Sequence, residues 1–131
     1  MRTEQEYNNL TGNIIHAAME VHRQLGPGLL ESVYEVCLEK ELSLRGLNVE
    51  RQVKCPIVYK GEVLDKVFYL DMLVENDIVL ELKAVNEILP IHEVQLVTYL
   101  KLTNKPLGLL INFNTDLLKS NIRRKINTYF K

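Results

Sequence analysis

The chain has 131 residues, of which 47% are apolar and 25% charged. Those are globular proportions in a length that suits one domain, which excludes a disordered or collagen-like chain and leaves no room for two full domains. Sixteen Lys and Arg oppose seventeen Asp and Glu, and the resulting net charge of −1 excludes a histone-like binder held by bulk positive charge while allowing a local basic surface.

Neither Cys37 nor Cys55 has a Cys or His neighbour at a metal-ligand spacing, so both read as buried free thiols of a reducing compartment. No apolar run reaches the ~18 residues that span a membrane. Residues 1–9 are polar and mixed in charge, unlike a signal peptide. The expectation is a soluble cytoplasmic protein, one domain over residues 1–131, with no membrane partner.

The first helix is predicted over residues 11–25. Ile14, Ala17, Ala18, Val21 and Leu25 recur at spacings of three and four, Thr11 can cap the start, and Gly26-Pro27-Gly28 stops it. A second helix covers residues 29–45. Leu30, Val33, Tyr34, Cys37, Leu38 and Leu42 form its apolar stripe, and Gly46 is its stop. The pattern then turns to strands. Residues 48–59 are rich in Val and Ile, Lys60-Gly61 reads as a turn, and strands over 66–74 and 78–85 flank Glu75-Asn76-Asp77. Pro90 opens a helix over 91–102, and 105–113 reads as a buried strand. A last helix is predicted from Thr115 to the end, carrying Lys119, Arg123, Arg124, Lys125 and Lys131. This order predicts an α/β fold, a mixed sheet with helices on its faces.

The chemistry concentrates around the second turn. With a three-residue turn Val74 faces Ile78, and Asp71 falls directly across from Glu81 on the same face. Lys83 lies two residues beyond Glu81 and shares that face. Val67, Leu73, Val79 and Val85 are predicted to lie with them, and Phe68, Leu70, Met72, Leu80 and Leu82 on the other face. Both faces therefore read as buried, and buried charges are costly unless paired or bound to metal. A divalent cation relieves the repulsion of two carboxylates, and carboxylate oxygens suit Mg2+. Asp, Glu and Lys so placed suit a metal-dependent phosphodiesterase. An Asp/Glu/Lys ion-pair network without metal accounts for the spacing equally well.

Two further segments bear on that choice. Glu31, in Gly28-Leu29-Leu30-Glu31-Ser32-Val33-Tyr34, opens the second helix, where an acid also complements the helix dipole. Gln95 and Tyr99 are four apart on one face of the helix that follows the Glu81/Lys83 strand. An ordinary amphipathic helix explains that spacing too.

Taken in order, Gly28-x-x-Glu31-x-x-Tyr34, Asp71, Glu81-Leu82-Lys83 and Gln95-x-x-x-Tyr99 resemble the GxxExxY protein family, within the PD-(D/E)XK nuclease superfamily. Supporting stretches are Ala18-Met19-Glu20-Val21-His22, Pro90-Ile91-His92-Glu93-Val94-Gln95 and Gly108-Leu109-Leu110-Ile111-Asn112-Phe113. The E-x-K motif alone is weak, and the ordered set is specific. The resemblance runs from about residue 10 to about residue 127. It implies a restriction-endonuclease-like core: a helix, three antiparallel strands, a helix and a strand. It implies Asp71 and Glu81 as metal ligands, the Leu82 backbone carbonyl as a third and Glu31 as a further candidate. Lys83 would position the attacking water or stabilise the transition state. Gln95 and Tyr99 match a motif of the RecB-like branch that lines the active site. The cofactor implied is Mg2+ or Mn2+, and the partner is nucleic acid. Leu70 stands where the superfamily pattern has proline before Asp71.

Candidate phosphate contacts are Lys119, Arg123, Arg124, Lys125 and His92, which can share a helix face with Gln95 and Tyr99. A solvated terminal helix and a capping histidine are the plain alternatives. His16 and His22 carry less weight. The function expected is a metal-dependent nuclease. A catalytically idle module of the same fold, binding nucleic acid or protein, is the alternative, and a small-molecule phosphohydrolase is a weaker third. DNA or RNA, strandedness, and a homodimer or partner protein stay open at this stage.

Overall fold

Thr3 opens the first helix. Its hydroxyl accepts the Glu6 N–H at 3.1 Å, and the Glu6 carboxylate accepts the Thr3 N–H at 2.9 Å. This reciprocal cap satisfies two otherwise orphan donors. In the computed structural model, which describes residues 2–127, helix α1 therefore spans Glu4–Leu25 and begins well before the predicted Thr11. Thr11 is buried and returns its hydroxyl to the Tyr7 carbonyl at 3.0 Å. Helix α2 spans Glu31–Leu44. Gly46 follows it with φ 79°, a left-handed stop that glycine takes without strain.

Strands β1 (Val49–Tyr59), β2 (Glu62–Val74) and β3 (Ile78–Lys83) form an antiparallel meander. Helix α3 (Pro90–Thr103) crosses over to β4 (Leu107–Asn112), which pairs parallel to β3. A short 3-10 turn over Leu118–Asn121 leads into β5 (Ile122–Ile126), antiparallel to β4. The sheet order is β1-β2-β3-β4-β5.

The last element corrects the predicted terminal helix. Every residue of β4 is buried, so its backbone groups need partners along both edges. A helix after Thr115 would leave one edge open. Instead Ile122 pairs with Ile111 and Ile126 with Leu107. The charged run Arg123-Arg124-Lys125 then sits on an edge strand, where charge discourages further pairing. The remainder of that predicted helix, Lys131 included, lies outside the described residues.

Helices α1 and α2 pack on one face of the sheet, with Tyr7, Ile14, Leu38, Leu42, Met72, Leu80, Leu82 and Phe113 in the core between them. Helix α3 covers the other, with Leu70, Leu73, Val79, Leu96, Leu100 and Leu110. Phe68 and Leu70 thus lie on the α3 side with Leu73, not with Met72 as strict alternation predicts. Both strands of the first hairpin turn over between Leu70 and Met72, and between Arg51 and Val53. Gln52, at φ 50°, makes that turnover on β1. The burial expected of Val67 also fails: it is exposed, on the half of the hairpin that runs beyond the sheet. Cys55 is buried and Cys37 half-buried, and both are free. Among the described residues, no helix is long and apolar enough to cross a membrane.

Gly108 sets how closely α3 approaches the sheet. A Cβ there would stand 2.7 Å from Leu96 Cδ1 and 3.2 Å from the Val79 carbonyl oxygen. Gly108→Ala is expected to cost about 1–3 kcal/mol by overpacking. A lower urea midpoint would show it, and an unchanged midpoint would refute the close contact.

Candidate active site

The β2–β3 ladder is regular through Val74↔Ile78, Leu73↔Val79 and Met72↔Leu80. The same register sets Asp71 across from Glu81, and there side chains take over from the main chain. The Asp71 N–H donates to Glu81 Oε2 at 2.9 Å. The Leu82 N–H donates to Asp71 Oδ2 at 2.9 Å. A strand residue sends its N–H and C=O to the same edge. The Leu82 carbonyl therefore faces Asp71 as well. The next carbonyl, that of Lys83, faces the opposite edge and accepts the Phe113 N–H at 2.9 Å. Asp71, Glu81 and the Leu82 carbonyl thus share one opening in the sheet.

The charges there sense one another. Glu81 is 4% exposed. Burial, then the neighbouring Asp71, push its carboxyl up to about 8, with Lys83 pulling the other way. Burial also raises Asp71, against the Leu82 N–H and Lys83. Glu31, in the first turn of α2, is raised by burial, lowered by Lys83 and raised by Asp71. Tyr99 on α3 is raised by burial and then by Glu81 and Asp71, so it holds its proton. Glu31, Asp71, Glu81, Lys83 and Tyr99, from α2, β2, β3 and α3, are therefore brought to one place.

Tyr34 fixes the loop that presents Glu31. It is fully buried and stacks on Phe113 with ring centroids 4.5 Å apart. Its hydroxyl donates to the Gly26 carbonyl at 2.6 Å and accepts the Leu29 N–H at 3.2 Å. Tyr34→Phe would strand both groups. The expected cost is about 1–3 kcal/mol, measurable by denaturant unfolding, and a variant as stable as the parent would refute the role. Across the site, Phe68 stacks on Tyr99 with centroids 4.8 Å apart, holding the phenol against the sheet.

Other predicted residues are placed differently. Gln95 is exposed one turn before Tyr99, and among the described residues no hydrogen bond ties it to the carboxylates. His92 accepts the Leu89 N–H on Nδ1 at 3.0 Å and so caps α3. His22 Nε2 bonds the Thr115 carbonyl at 2.6 Å. The basic run divides between the two faces of β5. Arg123 and Lys125 pair with Glu93 at 3.8 and 2.7 Å, while Arg124 donates to Asn8 at 2.8 Å. They do not form the single helical patch that a terminal helix would present.

Two residues escape the sequence reading. Gln52 occupies the register position opposite Asp71, between the pairs Arg51↔Met72 and Val53↔Leu70. Its amide donates to the buried Glu35 on α2. Counting outward from the Lys60-Gly61 turn would set Glu50 there. The irregularity between Pro56 and Val58 shifts the register, and no residue type in the stretch announces it.

A model of the PD-(D/E)XK nuclease superfamily matches residues 8–125. Among solved structures, the crystal structure of SSO0001 is similar, with a TM-score of 0.50 and 25% identity over 72% of this chain. The chain spans 47% of that one, about half its length. No curated protein gives a significant match. The match covers both helical layers, the strands that carry Asp71, Glu81 and Lys83, and the crossover to the last strand, and the chain belongs to the PD-(D/E)XK nuclease superfamily.

Proposed function

We propose that this protein is a divalent-metal-dependent nuclease that hydrolyses phosphodiester bonds in nucleic acid, of the GxxExxY kind and the RecB-like branch. One observation carries the reading. The β2–β3 ladder opens where two carboxylates face each other, and an ammonium stands beside them. Glu81 takes up a proton because burial and Asp71 leave that pair short of positive charge.

The residues present suit Mg2+ or Mn2+. Asp71, Glu81 and the Leu82 carbonyl would hold the ion, and Mg2+ commonly fills its other positions with water and substrate phosphate. Glu31, raised by burial and by Asp71, would serve as a further ligand or orient water or substrate. The bound ion would supply Lewis-acid charge and acidify water. Lys83 would hold the attacking water and offset charge that develops on the phosphate. Tyr99, kept as a phenol, would donate to a phosphate oxygen. Gln95, one turn earlier, would meet the nucleic-acid backbone. Among the basic residues, Arg123 and Lys125 would have to exchange Glu93 for phosphate, and Arg124 would leave Asn8.

The test is cleavage of linear and circular, single- and double-stranded DNA and RNA with Mg2+ and then Mn2+. Cutting of at least one substrate, stopped by EDTA, is expected. No cutting of any, together with no rise in melting temperature on adding Mn2+, would favour an idle module and overturn the reading.

A further inference from the structure

We propose that Gln52 is the residue that positions Asp71 for the metal, suspending its carboxylate from a second, buried acid on α2, Glu35. The inference rests on the metal-dependent reading above. Gln52 Nε2 donates to Glu35 Oε1 at 3.2 Å and Oε2 at 3.1 Å. Gln52 stands directly across from Asp71 in the β1–β2 register, and its side chain draws the proton affinity of that carboxylate down. An amide nitrogen carries two hydrogens, so one group can serve both acids. Arg51 lies 3.5 Å from Glu35 and 3.0 Å from Glu39, which balances the charge that burial would otherwise penalise.

The backbone supports a role beyond packing. Gln52 has φ 50°, a left-handed conformation that side-chain-bearing residues rarely adopt. It is exposed, so it fills no core space. The outlier stands opposite Asp71, where the hairpin's two faces exchange. Strain held at such a point calls for a compensating contact, and the amide bridge is that contact. A neutral donor also suits the chemistry. It orients Asp71 without cancelling the charge that a cation needs, whereas lysine or arginine there would compete with the metal. Glu35 lies one turn after Glu31 on α2. The helix that brings Glu31 to the site therefore also anchors Gln52.

The test uses Gln52→Gly and Gln52→Asn. Both residues accept the left-handed backbone, and neither reaches as far as glutamine. Mn2+ binding is measured by calorimetry without nucleic acid, alongside the melting temperature of the metal-free proteins. The expected result is a 10- to 100-fold weaker Mn2+ dissociation constant, the size of a lost contact to a metal ligand. Melting temperatures should fall with the hydrogen bonds lost to buried Glu35, but excess Mn2+ should restore cleavage, which a merely unfolded site would not allow. Unchanged Mn2+ affinity in both variants, with or without lower melting temperatures, would overturn the proposal while leaving the metal site standing. No Mn2+ binding by the wild type would overturn the metal reading and this inference with it.

Discussion

Lys83→Ala is expected to lower metal-dependent cleavage by roughly 10²–10³-fold, the loss that follows removal of one preorganised transition-state donor. The substitution leaves Asp71, Glu81 and the Leu82 carbonyl in place, because none of the hydrogen bonds that set them passes through the Lys83 side chain. It removes the positive charge that draws Glu31, Asp71 and Glu81 toward ionisation. The acids should then hold protons more tightly, and the pH at which Mn2+ binds should move upward. Lys83→Arg is not expected to restore full rate, since a planar guanidinium cannot occupy the position of a compact ammonium. Single-turnover rates at saturating Mn2+, with the variants purified in parallel, decide the matter. Equal rates in wild type and Lys83→Ala would remove Lys83 from the chemistry.

The second large effect is in pH. The Glu81 carboxyl lies near 4.5 in an unfolded chain and is raised to about 8 in the folded one. Below the unfolded value both states are protonated, and the group's favourable contribution to folding is complete. As pH climbs from about 4.5 toward 8 the unfolded chain ionises and the folded site resists, so that contribution is lost. Above 8 both states are ionised and the loss is complete. The metal-free protein should therefore melt at falling temperature across this window, and Glu81→Gln should flatten the slope. Metal binding has the opposite sign, because a cation must displace the proton. The rise in melting temperature on adding Mn2+ should be small near pH 5 and grow toward pH 8. Two wild-type and Glu81→Gln melting series that run parallel would exclude Glu81 as the titrating group.

Much of this site is legible in residues close together along the chain. Glu75-Asn76-Asp77 closes a short hairpin, with Glu75 and Asn76 in positive φ. A short turn leaves little freedom in register. Asp71 and Glu81 could therefore be set opposite each other by counting, and Lys83 follows on the same strand. Glu31 and Tyr99 needed the resemblance, since each comes from a helix whose own spacing says only that it is amphipathic. Tyr34 reads in the sequence as part of an apolar stripe. Its hydroxyl bonds to Gly26 and Leu29, which set the loop before Glu31, emerge only from the folded chain.

Features that depend on local geometry are readable along the chain: the helix stops at Gly26 and Gly46, the order of α1 to β4, and the Asp71–Glu81–Lys83 group. Other features answer to the needs of elements far apart in the chain. Ile122-Arg123-Arg124-Lys125-Ile126 becomes β5 because buried β4 presents an unpaired edge. Its basic residues then find Glu93 and Asn8, which no spacing rule connects to them. Gln52 comes to face Asp71 because an irregularity past Pro56 shifts the first hairpin's register after the turn has set it. Turn geometry acts over a few residues, and its signal is written in their types. Edge pairing and register shifts are settled by backbone hydrogen bonds, which every residue but proline offers alike.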